Sequence, residues 1–164
     1  MSVVCAKVYK DKIMIAADSI VVSGWTKNTK QDFVKLKKIN DMILGGSGYC
    51  EEQSIMWHYM KTHRPNDSSE KSVLDFMVEF AKWKDEYSGN KTVQNHYILA
   101  FDGKLFLIEG LFVSNVKDFC AIGAGEDFAL ATLHLGHSPK EAVKVACELS
   151  CFVSEPIVEE EMKL

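Results

Sequence analysis

No apolar run in this sequence approaches the ~20 residues that a membrane-spanning helix needs. Lys7, Lys10 and Lys12 interrupt the apolar residues near the start, so no secretory leader is expected. The five cysteines are odd in number, and no CxxC or CxxH pair occurs among them. That argues against a disulfide framework and a zinc site, and for reduced thiols in a cytoplasmic protein. Cys5 and Cys120 are expected in the core. Arginine is nearly absent (Arg64 stands alone), the net charge is −4, and no basic stripe is present, so neither nucleic acid nor a membrane is an expected partner. The five histidines, His58, His63, His96, His134 and His137, show no HExxH spacing. There is no GxSxG elbow, no Walker A loop and no GxGxxG fingerprint, and no metal or organic cofactor is called for. Repeats, low-complexity blocks and linkers are also missing. The 164 residues read as one domain, with the acidic end at 155–164 frayed and solvated.

What is present is a strongly patterned chain. "SVVCAKVY" (2–9) and "IMIAADS" (13–19) flank a turn and read as a β-hairpin. "VSGWTKN" reads as a loop. "FVKLKKI" (33–39) alternates apolar and basic residues, as a half-exposed strand does, and "MILGGSG" (42–48) is an apolar run ending in glycines. Ile55, Met56, Tyr59, Met60 and His63 share one face of a helix over about 50–63. Val73, Phe76, Met77, Phe80, Trp83 and Tyr87 form a stronger stripe over about 69–87. "HYILAF" and "KLFLIEG" joined by Asp-Gly predict a second hairpin. "DFCAIGAG" (118–125) is a further strand ending in glycines, followed by a helix to about 135. The next helix opens with Ser138 as cap, Pro139 at its first position and Glu141 closing a capping box. Its core face is expected to hold Ala142, Val145, Ala146 and Leu149.

Strands grouped with strands and helices in pairs predict an α+β fold with antiparallel sheets. A two-sheet sandwich with a helix pair on each outer face buries every apolar stripe.

The start of the chain carries the chemistry. Removal of Met1 would leave Ser2 with a hydroxyl and a free α-amine on one residue. Such an amine titrates near ~8, so part of it is neutral near physiological pH and can take the hydroxyl proton. A neighbouring cation would lower that amine's pKa, a carboxylate would hold the cation, and amide donors would receive the oxyanion. Lys35, Asp18 and the glycines of "LGGSG" are the candidates. Gly48 stands just where a helix begins. Taken singly, each has an ordinary reading: Asp18 as a turn residue, Lys35 as a solvated charge, Gly46 and Gly48 as a turn.

Together, "M-S-V-V-C-A … IAADS … VKLKKI … GGSG-helix … AIGAG-helix" resembles the proteasome β-subunit family, and within it the bacterial HslV-type peptidases, from Ser2 to about Val153. The resemblance implies a four-layer αββα sandwich of the N-terminal-nucleophile (Ntn) hydrolases and cleavage of peptide bonds in peptides or unfolded proteins. It also implies a homo-oligomeric ring enclosing a chamber, often fed by an ATP-dependent unfoldase. It implies Ser2 as nucleophile and base, Lys35 and Asp18 as its tuning pair, Gly48 as the oxyanion donor, and Gly46 and Ser47 at the substrate pocket. Two positions depart from the pattern. Serine replaces the usual threonine nucleophile and so lacks the methyl that restricts χ1; Ala124 stands where the family often has a serine. Two other readings stay open at this point: a non-catalytic assembly protein of the same fold, and a small-molecule Ntn amidohydrolase.

Overall fold

The computed structural model describes residues 1–24, 26–28 and 33–164. Two antiparallel sheets stack face to face. The first consists of β1 (Val3–Val8), β2 (Lys12–Asp18), β10 (Phe119–Gly123) and β11 (Ile157–Lys163), in the order β10-β1-β2-β11. The second runs β5-β6-β7-β8-β9, built from β5 (Leu36–Ile39), β6 (Met42–Ser47), β7 (His96–Phe101), β8 (Lys104–Glu109) and β9 (Phe112–Val116). A short ribbon of β3 (Val21–Ser23) and β4 (Thr26–Asn28) stands apart. Helices α1 (Cys50–Tyr59) and α2 (Glu70–Ser88) precede β7; α3 (Glu126–His134) and α4 (Pro139–Leu149) follow β10.

Alternation within the strands assigns the layers. Val4 and Ala6 of β1 and Ile13, Ile15 and Ala17 of β2 face Ile43, Ile98, Ala100 and Leu105 across the middle of the sandwich. Val3, Cys5 and Ala16 point the other way, onto Ala129, Leu133, Ala142 and Ala146 of α3 and α4. The alanines on both sides let this helix pair approach closely. The second sheet turns Leu44, Tyr97, Leu99 and Phe106 toward Met56, Tyr59, Phe76, Met77 and Phe80 of α1 and α2. The result is the four-layer αββα sandwich that the patterning predicts.

Local signals hold where they have a mechanism. Asp102 and Gly103 both take positive φ (46° and 72°), as a two-residue hairpin turn between twisted strands requires. Ser138 and Glu141 form the reciprocal capping box. The stripe on α2 buries Val73, Phe76, Met77 and Phe80, while Trp83 is half-buried and Tyr87 exposed.

Several expectations need correction. The segment 155–164 is not frayed: β11 pairs with β2 from Ile157↔Asp18 to Lys163↔Lys12, and its Val158 and Met162 pack against the inter-sheet core. The acidic run misleads because apolar residues are interleaved with it: Ile157, Val158 and Met162 pack on the core from both faces of the strand, while Glu159 and Glu160 stay half-buried and Glu161 exposed. α1 ends at Tyr59 rather than 63, although His63 still stacks on the Tyr59 ring at 4.2 Å. "VSGWTKN" holds the end of β3 and all of β4, with its Trp25 outside the described residues. On α4 the buried face is Pro139, Ala142, Val143 and Ala146; Val145 is half-buried and Leu149 exposed, so the face is turned by about one residue from the expected one. The strand β9 carries no strong alternation and was not anticipated.

Deleting residues 155–164 should strip the outer edge of β2 and remove three side chains that pack on the core, Ile157, Val158 and Met162, lowering stability by roughly 3 kcal/mol or more. Urea unfolding followed by circular dichroism measures this; an unchanged midpoint would mean that β11 is dispensable.

Candidate active site

The hairpin register builds the first half of the site. Val4 lies opposite Ala17, so the chain start comes to rest beside the last residue of β2. The Val3 N–H donates to Asp18 Oδ1 at 2.8 Å. The other carboxylate oxygen accepts from Lys35 Nζ at 2.7 Å. Lys35 Nζ also donates to the Met1 carbonyl at 3.1 Å, the carbonyl bonded directly to the Ser2 nitrogen. Ser2, Asp18 and Lys35 are 4%, 0% and 3% exposed. The expectation of Lys35 on a half-exposed strand is therefore wrong. It stands just before β5, in the second sheet's edge segment, and turns inward because Asp18 supplies the counter-charge that makes its burial tolerable.

Burial sets the electrostatics. It pushes the Lys35 ammonium below its ordinary range, with the Asp18 carboxylate opposing. It pushes the Asp18 carboxyl up, against the pull of Lys35 and of the Val3 and Ile20 amides. The amine at the chain start is lowered from the ordinary 8.0, first by burial and then by the Lys35 charge.

The second half of the site is the end of β6 and the start of α1. The Gly46 N–H donates to the Lys35 carbonyl at 3.1 Å, tying this strand to the lysine. Gly48 has φ of +138°, and a Cβ there would run into the Asn95 side chain. Asn95 grips the next residue from both sides: its Oδ1 accepts from the Tyr49 N–H at 2.6 Å, and its Nδ2 donates to the Tyr49 carbonyl at 3.0 Å. Asn95 is itself held by Glu52, whose Oε1 accepts from the Asn95 N–H at 2.9 Å and from the Tyr97 hydroxyl at 3.1 Å. Glu52 Oε2 takes Lys84 Nζ at 2.7 Å and the Gln94 N–H at 3.0 Å. Both members of this ion pair are buried.

The sequence reading missed Glu52, Lys84, Asn95 and Tyr97. A signal was available for two of them. Lys84 continues the apolar stripe of Val73, Met77 and Phe80, and Glu52 lies on the face of Met56 and Tyr59. A charge inside an apolar stripe announces a buried partner.

Ser2, Lys35, Gly46, Gly48 and Gln53 line a narrow cleft of about 40 Å³, which Met1 also enters. Its other walls include Ile20, Val21, Val22 and Phe33. Ser47, expected at the substrate pocket, does not line it; its hydroxyl lies beside Gly123 instead, because alternation along β6 turns it to the other face. Asp18 sits behind Lys35, out of the cleft. Ala124, where the family often has a serine, is exposed. An open hollow of about 900 Å³ elsewhere brings Lys38, Arg64, Asp102 and Glu161 together, but it mixes charges of both signs and holds no nucleophile. Among the described residues, no group of three His, Cys, Asp or Glu could hold a metal ion.

Two outcomes follow from this geometry. Lys35→Ala should cost about 3–5 kcal/mol, because it strands the buried Asp18 carboxylate. The double variant Asp18→Asn/Lys35→Met should lose less than the two single changes summed, as thermal and urea unfolding would show. Alkylation by iodoacetamide followed by peptide mass mapping should find Cys50 and Cys151, both exposed, modified in the native protein. Cys5 and Cys120 should stay unmodified, burial having pushed the Cys120 thiol up to about 12 and the Cys5 thiol higher still.

No protein-family profile matches the sequence, and no curated relative does. Solved structures do match along almost the whole chain. Thiobacillus denitrificans BPH in complex with epoxomicin superposes with a TM-score of 0.87 at 19% identity, covering 99% of this chain and 98% of that one. Eukaryotic HslV from Trypanosoma brucei gives 0.76 at 19% identity, covering 99% of both chains. Anbu (ancestral beta-subunit) from Yersinia bercovieri gives 0.73 at 13% identity, covering 97% of this chain and 80% of that one. The chain therefore has the four-layer αββα fold of BPH, HslV and Anbu.

Proposed function

We propose that this protein is a peptidase of the HslV/proteasome type that uses Ser2 as its N-terminal nucleophile once Met1 has been removed. The observation that carries the reading is the buried Lys35, which donates to both Asp18 and the carbonyl attached to Ser2. A solvated lysine would have no reason to be there.

In the mechanism, the Ser2 amine takes the Oγ proton as Oγ attacks the scissile carbonyl carbon. Lys35 favours the unprotonated amine and stabilises the developing alkoxide, while Asp18 holds Lys35 in position. The Gly48 N–H, at the entry to α1, receives the oxyanion. The protonated amine then passes its proton to the leaving nitrogen, the C–N bond breaks, and an ester to Ser2 remains. Water, deprotonated by the same amine, cleaves that ester and frees the second product. Serine in place of threonine leaves χ1 less restricted, so a lower rate is expected than for a threonine at this position. The substrates are peptides or unfolded proteins, and the active form is a homo-oligomeric ring, with an ATP-dependent unfoldase as its partner. HslV, BPH and Anbu share the fold, and this supports the ring.

The second reading is a non-catalytic shell of the same fold: a chain that kept Met1, whose carbonyl Lys35 holds, would have no free Ser2 amine to act as base.

Intact-mass analysis separates the two: the peptidase lacks Met1 and the shell retains it. The Met1-free protein should be labelled at Ser2 by epoxomicin, the compound carried by one BPH structure. Ser2→Ala should abolish both labelling and peptide cleavage; full activity in that variant would remove Ser2 from the mechanism. Light scattering should show a ring of several subunits.

The pH profile has a defined sign. The base must be unprotonated. Burial, and then the Lys35 charge, lower the Met1 amine from 8.0; the Ser2 amine freed by removal of Met1 is one residue further in and is expected to be lowered by the same two causes. The rate should therefore rise with pH, with a midpoint below 8 and a plateau above it. A midpoint at or above 8 would mean that the Lys35 charge does not reach the base.

A further inference from the structure

Glu52 and Gln53 are neighbours on α1, and both are 2% exposed. Glu52 is fully engaged, with four donors on its two oxygens. Gln53 is not: its Nε2 is buried and has no hydrogen-bond partner among the described residues. A buried amide donor left unpaired is costly, and natively such groups are nearly always satisfied. Gln53 lines the cleft together with Ser2, Gly46 and Gly48. Its carboxamide lies against the strand where Gly46 lacks a Cβ; a side chain at that position would overlap Gln53 Oε1.

Resting on the peptidase reading above, we infer that Gln53 makes the cleft selective for a short side chain ending in a carboxamide, asparagine above all, on the acyl side of the scissile bond.

Three features of the cleft lead there. Much of its wall offers the amide no partner. Ile20, Val21, Val22 and Phe33 are apolar, and Lys35 Nζ is paired with Asp18; Tyr49, Cys50 and Ser2 also line the cleft. The cleft is narrow, about 40 Å³ with Met1 lining it, and favours a short group over a long one. Finally, a carboxamide is the group that complements a carboxamide at both ends. Its oxygen accepts from Nε2 and its nitrogen donates to Oε1. A carboxylate would set a second acceptor against Oε1, an ammonium would face Nε2, and an aliphatic side chain would leave Nε2 unpaired. The match is indifferent to which way round the Gln53 amide sits, since the partner can turn with it.

The test measures binding and so does not depend on turnover. N-acetyl tripeptides ending in asparagine or in leucine, nearly equal in size, are titrated by calorimetry into the Met1-free protein. Their terminal carboxylates would lie near Gly48 N–H, as cleavage products would. The asparagine peptide is expected to bind about tenfold more tightly. Gln53→Met keeps the length but removes both polar atoms and should erase or reverse the preference. Gln53→Glu, which replaces the donor with an oxygen, should erase it too, and serves if Gln53→Met fails to fold. Equal or tighter binding of the leucine peptide, a preference unchanged in the variants, or no binding of either peptide would overturn the inference. Hydrolysis of longer peptides is followed in parallel. An asparagine preference without hydrolysis would sink the peptidase reading and leave the Gln53 assignment standing; hydrolysis with no such preference would do the reverse.

Discussion

Everything at the site depends on one ion pair that spans two sheets. Asp18 ends a strand of the first sheet, and Lys35 precedes the edge strand of the second. Their 2.7 Å contact closes one end of the sandwich, which apolar packing holds together through its middle. Removing two charges from water costs several kcal/mol each, and an ion pair recovers that only when its remaining valences are filled. Here they are filled by the chain start. Val3 N–H completes the shell of Asp18, and the Met1 carbonyl takes a further proton of Lys35. The N-terminus is thus a structural partner of the pair before it is a chemical one. The contact that makes the lysine's burial tolerable also sets the lysine beside the residue whose amine it would tune.

A second ion pair does the corresponding work on the far side of the cleft. Glu52 and Lys84 join α1 to α2, and the donors that complete Glu52 come from the segment leading into β7 and from β7 itself. Asn95 carries this rigidity to Tyr49, and so to the peptide that follows Gly48. The two pairs differ in what they fix. The first holds a cation against the chain start; the second holds a backbone amide in a conformation that only glycine adopts readily. The proposed hydrolysis needs both fixed relative to each other, and the Gly46 N–H to Lys35 carbonyl bond links them.

The layers were legible in the sequence because alternation and helical stripes report burial directly. The Asp-Gly turn and the Ser138–Glu141 box were legible because each has a mechanism confined to four residues. What failed depended on distant partners. Lys35 looks solvated within "KLKK" until Asp18, seventeen residues away, is known to face it. The acidic run at 157–163 looks disordered until β2 is seen to lack a neighbour on that edge. On α4 the alanines of the first sheet choose the buried face, and they admit Val143 in place of Leu149. Ser47 was placed at the pocket by its neighbours in sequence, but strand alternation sends it to the opposite face from Gly46. Glu52, Lys84 and Asn95 form bonds that span at least 32 residues in sequence, and no local pattern encodes the complete network.

The glycines of "LGGSG" show how one constraint serves both packing and chemistry. A Cβ at Gly46 would strike Gln53, and one at Gly48 would strike Asn95. Each absent side chain lets a buried polar residue from the helical side close onto the strand. Asn95 uses that space to fix a peptide; Gln53 uses it to bring an unpaired carboxamide to the wall of the cleft. A strand with side chains at these two positions would push α1 outward, widening the cleft and releasing the Gly48 amide together. The narrowness of the cleft, the presentation of its amide donor and the composition of its wall are therefore one packing solution, and a substitution at either glycine should alter all three at once.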